Sequence, residues 1–281
     1  MEHFADRLAA AVRVKNTSLC VGIDPRVESL PTSFRLTDDA KAVEDFCVRV
    51  LELIGPHVGV VKPQSAFFEM LGPQGLAVQQ WVMERATAQG ALTILDAKRG
   101  DIASTACAYA DAAFDVWDAD ALTVNPYLGR DGVEPFIEKA RKEGRGIFVL
   151  VRTSNPGAGM FQDLDCGGRK LYEVVADEVR KWSCENIGKC GYGDVGAVVG
   201  ATHPAELKAL RERMPEVWFL VPGYGAQGGT AADVRPAFRA DGLGAIVNSS
   251  RGVTFPFKPD DQNWEEMIVA AAKKAAEELK M

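Results

Sequence analysis

The amino-acid sequence predicts an α/β protein folded as a single-domain (β/α)8 barrel, the TIM barrel. Short apolar segments recur along the chain, and a segment of helical periodicity follows each of them. Their apolar character is continuous rather than alternating, which indicates strands buried on both faces, as in parallel sheets. The 281 residues accommodate eight such units, and barrels of this length are routinely one domain. An open, doubly wound sheet is the alternative that the same pattern allows.

The predicted strands begin near residue 18 and end near residue 250. They are residues 18–24, 57–62, 91–98, 121–126, 146–152, 194–202, 217–223 and 244–250.

Helical periodicity is clearest at the two ends of the chain and before the seventh strand. Phe4, Leu8 and Val12 predict one apolar face of an N-terminal helix. Residues 204–213 begin with proline, which favours the first turn of a helix. The final helix is indicated by apolar residues at helical spacing, namely Trp264, Ile268, Ala271, Ala275 and Leu279.

The interval between the fifth and sixth strands is the longest. We expect a loop and helical insertion at about residues 152–193, whose Gly-rich first half is typical of an active-site lid.

Composition limits the partners and the compartment. The formal net charge of −7 makes nucleic acid and anionic membranes poor partners for the whole surface. The N-terminal segment does not have the order of a signal peptide, and the apolar runs are too short to span a bilayer. None of the six cysteines forms a C-x-x-C pair, which favours reduced thiols and no metal site. We therefore expect a cytoplasmic protein.

A cluster of charges ends the third predicted strand. Residues two apart in a strand point the same way, so Asp96 and Lys98 should share one side at the mouth of the barrel. Gly100 permits a turn, and Asp101 falls where the next helix should begin. Asp101 alone is compatible with a helix cap, and the Asp–Lys pair with a structural ion pair. Because burying such charges is costly, we favour a functional role.

Two neighbouring strands end in charged residues as well. Asp24 ends the first strand and Lys62 ends the second, each just before a proline. In a barrel these side chains converge on the rim where active sites lie. Alternating Asp and Lys charges hold one another ionised.

A glycine-rich segment, VPGYGAQGGT at 221–230, follows the seventh strand. It contains a G-x-G-x-x-G pattern from Gly223, but the next strand ends without the acidic residue that a dinucleotide site needs. In a barrel, the loops after strands seven and eight instead form a phosphate site. Gln227 and Arg251 are positioned to bind that phosphate. The residues therefore predict a barrel enzyme acting on a small phosphorylated substrate.

With these motifs in place, the chain resembles the orotidine 5′-monophosphate decarboxylase family over its whole length, in the longer bacterial (type 2) branch. The D-x-K-x-x-D-I pattern of the family is present at residues 96–102, with Thr105 in the expected place. Six further segments match in order. They are Asp24, Lys62, TSNPG at 153–157, GAT at 200–202 with a proline nearby, PGYGAQGG at 222–229 and SSRG at 249–252.

The resemblance implies decarboxylation of orotidine 5′-monophosphate to UMP in pyrimidine biosynthesis, without metal or organic cofactor. It implies that Lys98 protonates C6, that Asp96 lies beside the substrate carboxylate, and that Lys62 and Asp24 contact the ribose and hold the charges. Ser154 is expected to bind the pyrimidine edge.

The resemblance also implies a homodimer with shared active sites. Asp101, Ile102 and Thr105 would enter the site of the other subunit. Gln227 and Arg251 are expected to bind the phosphate, in agreement with the interpretation from the residues alone.

Three other functions remain open at this point. The first is a Mg²⁺-dependent phosphosugar decarboxylase or synthase of the same superfamily, which needs an acidic metal ligand where this chain has Lys62. A second is a class I aldolase, which needs a lysine of lowered pKa, whereas flanking aspartates raise it. A third is a binding protein without turnover, which no residue of the sequence favours.

Overall fold

The chain folds into a closed barrel of parallel strands surrounded by helices. The computed structural model describes residues 1–202, 204–225 and 228–280. Within these residues, eight strands pair in sequence order, and the eighth closes on the first. The strands are β1 (Leu19–Ile23), β2 (Val60–Pro63), β3 (Leu92–Arg99), β4 (Ala121–Val124), β5 (Gly146–Arg152), β6 (Val195–Val199), β7 (Phe219–Val221) and β8 (Ala245–Ser249).

The helices form the outer layer, with one of them placed before the first strand. In the part of the chain that the structure describes they are α1 (Phe4–Lys15), α2 (Asp39–Ile54), α3 (Ser65–Glu69), α4 (Gly72–Ala88), α5 (Ala103–Asp111), α6 (Arg130–Lys142), α7 (Gly159–Gln162), α8 (Leu171–Cys184), α9 (Pro204–Arg213), α10 (Ala231–Val234), α11 (Arg251–Thr254) and α12 (Trp264–Glu278).

The predicted barrel is confirmed, and the open sheet is wrong because β8 pairs with β1. Each predicted strand overlaps an observed one, with ends that differ by up to three residues. The predicted helix over 204–213 has the observed bounds of α9. In α12 the buried face includes Ala272, whereas Ala271 is only half-buried, so the predicted stripe is shifted there by one residue.

Two apolar cores lie on the two sides of the strands. The larger one fills the space between the strands and the outer helices. The smaller one lies inside the barrel, where Phe4 and Leu8 of α1 pack with Phe148 and Trp218. The rings of Phe4 and Phe148 meet edge to face with centroids 6.1 Å apart. Helix α1 thus covers the amino-terminal end of the barrel and leaves the other end to the charged residues.

No helix among the described residues is both long and apolar enough to cross a membrane.

Replacing Phe4 with alanine should lower the free energy of unfolding by about 3–5 kcal/mol, because the barrel core loses a fully buried ring. Urea unfolding measures this loss. Val14→Ala is the matched control in the same helix, since Val14 is 80% exposed. An equal loss for both variants would contradict the account of α1 as part of the core.

Candidate active site

Three adjacent strands bring the central charges together at the carboxyl end of the barrel. Lys62 is near the end of β2, and Asp96 lies in β3, which pairs with β2 on one side and β4 on the other. The side chains of Lys62 and Asp96 are both buried. Lys98 follows two residues after Asp96, and its side chain remains 46% exposed. One lysine is therefore enclosed in the protein, and the other faces the open mouth.

The carboxylate of Asp96 is bound on both oxygens. Lys62 Nζ lies 2.5 Å from Oδ2, and Lys98 Nζ lies 2.6 Å from Oδ1. Gln64 Nε2 donates to Oδ2 at 3.1 Å, and the hydroxyl of Thr123 donates to Oδ1 at 2.9 Å. Each oxygen thus receives one ammonium and one neutral donor, which fixes the orientation of the carboxylate.

The two lysines keep Asp96 ionised. Burial alone would raise the pKa of the Asp96 carboxyl, but the charges and hydrogen bonds of Lys62 and Lys98 outweigh burial and hold that pKa well below its usual range. Burial would likewise lower the pKa of Lys62, yet the charges of Asp96 and Asp24 raise it above its ordinary value. Asp96 and Lys62 are therefore both charged at neutral pH.

The backbone of β3 is irregular where it carries Lys98. The pairing with β4 changes register between Leu95 and Arg99, and Lys98 has φ +47°. This left-handed conformation is uncommon for a residue with a side chain and is often found at functional sites. The predicted proximity of Asp96 and Lys98 holds, although simple strand alternation does not describe the path between them.

Asp24 lies beside the cluster, at the end of β1. Its Oδ2 accepts a 2.6 Å hydrogen bond from the hydroxyl of Ser250, which follows β8. The close approach of the two strands needs Gly22, because a Cβ there would lie 2.8 Å from the Cβ of Ser250. Asp24 Oδ1 is buried and has no hydrogen-bond partner among the described residues. An unsatisfied buried carboxylate oxygen is suited to accept a hydrogen bond from a hydroxyl group of a ligand.

The expected phosphate side lies at the loops after β7 and β8. Arg251 is exposed and begins α11 directly after β8. Gly225 and Gly228 have φ values of +73° and +93°, which favour glycine. They line a cavity of about 760 Å³ together with Ser249 and residues of α12. Gln227 lies outside the described residues.

Ser154 is half-buried in the loop after β5. It lies against the backbone after β6, where a Cβ on Gly200 would come within 2.9 Å of the Cβ of Ser154. The structure thus places it at the same end of the barrel as the charged cluster.

Of the remaining predicted site residues, Asp101 is half-buried, and Ile102 and Thr105 are exposed. Ile102 is 53% exposed, and Thr105 is exposed on α5. Asp101 does not cap a helix, because α5 begins at Ala103 with Ile102 in the cap position. Instead, Asp101 Oδ1 accepts a 2.8 Å hydrogen bond from the backbone N–H of Ile102.

Known proteins resemble the whole barrel. The model of the orotidine 5′-phosphate decarboxylase / HUMPS family matches residues 17–262. The chain belongs to this family. An orotidine 5′-phosphate decarboxylase of Rhodopirellula baltica is 45% identical to the chain over 301 aligned positions, with full coverage of both proteins. That of Caldicellulosiruptor bescii is 40% identical, and the alignment covers 92% of this chain and 91% of the relative.

A solved structure has the same fold as this chain. The structure of Leishmania donovani OMP decarboxylase has a TM-score of 0.81 and 39% sequence identity, covering 99% of this chain and 97% of that one. The family name also covers HUMPS proteins, but the Rhodopirellula and Caldicellulosiruptor relatives are both named as decarboxylases of orotidine 5′-phosphate. The Mg²⁺-dependent alternative is therefore not favoured. At the end of β2, where it needs an acidic ligand, Lys62 is bonded to Asp96.

Sequence reasoning missed two members of the cluster. Gln64 lies two residues after Lys62, so the same strand-alternation argument could have placed it beside Asp96. Thr123 is a polar residue inside a strand that is otherwise apolar and buried. A polar side chain at such a position needs a hydrogen-bond partner, and this is the signal that could have identified it.

Replacing Asp96 with asparagine should lower the free energy of unfolding at neutral pH by about 3–5 kcal/mol, because the buried Lys62 loses its counterion. The pKa of Asp96 is lowered in the folded protein. The ionised carboxylate therefore stabilises the fold fully above its unfolded pKa of about 3.9, and this stabilisation is lost as the pH falls further. The difference in the free energy of unfolding between wild type and Asp96→Asn should therefore become smaller below about pH 4.

Urea unfolding over a series of pH values measures this difference. Asp45→Asn is the control, since Asp45 is exposed and pairs only with exposed Lys41 in the contacts described, so it should change stability by less than about 0.5 kcal/mol. A difference between Asp96→Asn and wild type that stays constant down to about pH 3.5 would contradict the role of the Asp96 charge.

Proposed function

We propose that this chain is an orotidine 5′-monophosphate decarboxylase, a carboxy-lyase that forms UMP and CO2 without a metal ion. The observation that carries the proposal is the cluster itself, in which a buried ionised carboxylate holds the ammonium of Lys98 at the mouth of a barrel. The family and the relatives' names agree with this activity.

Lys98 supplies the proton. When the C6–carboxyl bond breaks, CO2 leaves and the bonding electron pair remains on C6. The nearby ammonium stabilises this negative charge and then transfers a proton from Nζ to C6, forming the new C–H bond. Lys98 regains its proton from water. Its partial exposure places it between the buried Asp96 and the open mouth, as this transfer requires.

Asp96 and Asp24 hold the substrate and the charges. Asp96 is fixed by four donors and faces the substrate carboxylate, so the repulsion between them is relieved as neutral CO2 departs. Asp24 offers its unsatisfied Oδ1 to a ribose hydroxyl. The enclosed ammonium of Lys62 lies 2.5 Å from Asp96 Oδ2 and helps to keep that carboxylate ionised.

The phosphate is bound away from the reacting carbon. Arg251 and Gln227 contact it, together with backbone N–H groups of the glycine-rich loop, and Ser154 binds the pyrimidine edge. Binding energy from this remote group can be used to close the loops and orient the base rather than only to tighten binding.

We propose that residues 1–281 form one domain whose 152–193 insertion covers the site. The two apolar side chains of Met160 and Phe161 are exposed on α7, in the first half of this insertion. Gln162 ties α7 back to the end of β5, because its amide accepts from the N–H of Thr153 and donates to the Thr153 hydroxyl. Closure over the substrate would bury the exposed apolar groups.

We propose that two copies form a homodimer with shared active sites, in which Asp101, Ile102 and Thr105 reach the site of the other subunit. Exposed apolar groups on and around α5 support this, since Ile102 and Val116 are both more than half exposed. Large apolar side chains exposed on a single chain are often covered when an interface forms.

We place the reaction in the cytoplasm. All six cysteines are free thiols, two of them fully buried. Unpaired thiols are typical of a reducing compartment. The net charge of −7 argues against nucleic acid or anionic membranes as partners.

Replacing Lys98 with alanine should lower kcat by about 10²–10⁴-fold or more, because the proton donor and the charge at C6 are both lost. The measurement is the loss of orotidine 5′-monophosphate absorbance in the presence of EDTA. Wild type should turn over at full rate with EDTA. Lys181→Ala, which removes an exposed lysine of α8, should not change the rate. No turnover by wild type, or a rate that EDTA abolishes, would contradict the proposed function.

Mixing two damaged variants tests the shared sites. Asp101→Asn and Lys98→Ala should each be strongly impaired alone. If Asp101 serves the partner's site, random reassociation makes half of the dimers mixed, and each mixed dimer has one intact site. The mixture should then recover about a quarter of wild-type activity. Asp111→Asn is the surface control. Its mixture with Lys98→Ala should have the same activity as a mixture of wild type with Lys98→Ala. No recovery would place Asp101 in the site of its own chain.

A further inference from the structure

We propose that Thr123 is a positioning residue for the proton transfer. Its hydroxyl fixes the backbone that carries Lys98 and also one oxygen of Asp96, so that the Lys98 ammonium is held where C6 must be protonated. The inference rests on the proposed function of the site and adds a residue outside the motifs that identify the family in the sequence.

Thr123 is enclosed within the barrel wall. It lies in the middle of β4 and is 1% exposed. The other residues of this short strand are alanine, leucine and valine. A lone hydroxyl in such a strand must be satisfied by specific partners.

The hydroxyl makes three hydrogen bonds, all of them to β3. It accepts from the backbone N–H of Ala97 at 3.1 Å and from that of Lys98 at 2.9 Å. It donates to Asp96 Oδ1 at 2.9 Å. One donor and two acceptor positions are the full capacity of a hydroxyl, so all of it is used in this cluster.

The hydrogen bonds lie where β3 leaves the regular ladder. Leu95 pairs with Leu122, and the next pair along is Arg99 with Val124. Three residues of β3, 96–98, therefore lie opposite the single residue Thr123. In a bulge of this kind the extra N–H groups lose their ladder positions, and here the threonine hydroxyl accepts from two of them.

Thr123 therefore holds Lys98 at both ends. The backbone N–H of Lys98 is bound directly, in a left-handed conformation that the chain would not hold without support. The ammonium is bound through Asp96, because Thr123 and Lys98 share the same Oδ1 atom. Gln64, by comparison, contacts only the other oxygen of Asp96 in the cluster.

The test compares two substitutions at one position. Thr123→Val keeps the branched shape but removes the hydroxyl, and Thr123→Ser keeps the hydroxyl but removes the methyl group. We expect Thr123→Val to lower kcat by about 10- to 100-fold with less than about threefold change in KM, because phosphate and ribose contacts remain. Thr123→Ser should stay within about threefold of wild-type kcat.

Thr93 provides a matched control on β3. It is also fully buried, and its hydroxyl is bonded to a buried aspartate, Asp120, but at the opposite end of the barrel. Thr93→Val should lower the thermal unfolding temperature about as much as Thr123→Val and leave kcat within about twofold of wild type.

Each outcome decides the proposal. A wild-type kcat in Thr123→Val would overturn the proposal, because the hydroxyl would then have no role in the proton transfer. An equal loss of kcat in Thr93→Val would also overturn it, because the loss would then come from a general loosening of the barrel. If Thr123→Val does not fold, Thr123→Ala against Thr123→Ser gives the same comparison. Absence of turnover in wild type would instead overturn the proposed function on which the inference rests.

Discussion

The structure depends on one carboxylate placed between two ammonium groups. Asp96 is buried, and Lys62 and Lys98 approach its two oxygens at 2.5 and 2.6 Å. Burying such charges is costly, and removing one partner leaves another unpaired. The arrangement places the amine of Lys98 at the open mouth of the barrel, and the buried Asp96 holds it there. The strands β2, β3 and β4 serve this arrangement, since each contributes one group that touches Asp96.

The division of the barrel into two ends follows from the same constraint. Helix α1 covers the amino-terminal end with Phe4 and Leu8, which pack among the apolar side chains inside the barrel. The cluster of Lys62, Asp96 and Lys98 lies at the carboxyl end, where loops after β7 and β8 form the expected phosphate side. Under the proposed function, the binding energy of a remote phosphate would orient the base over Lys98.

Much of this could be predicted from the sequence. Continuous apolar runs identify the strands, because strands buried on both faces carry apolar residues at successive positions rather than alternating apolar and polar ones. Charged residues at strand ends identify Asp24, Lys62, Asp96 and Lys98, because the barrel brings strand ends to one rim. The change of register in β3 and the role of Thr123 could not be predicted in the same way. They depend on how two strands far apart in the sequence align, and local propensity does not encode this. The alternative of a helix cap at Asp101 is excluded only by the structure, in which α5 begins at Ala103 with Ile102 in the cap position.

The most direct test of the central claim is the exchange of the C6 hydrogen of UMP in D2O, followed by NMR. By microscopic reversibility, the neutral amine of Lys98 takes the C6 proton of UMP and leaves the same C6 carbanion. The resulting ammonium exchanges its protons with D2O and returns a deuteron to C6, and no CO2 departs. The exchange therefore separates the placement of Lys98 from any repulsion of the substrate carboxylate. We expect wild type to exchange the C6 hydrogen and Asp96→Asn to lose this exchange. Exchange by Asp96→Asn at the wild-type rate would contradict the claim that Asp96 holds the proton donor in place.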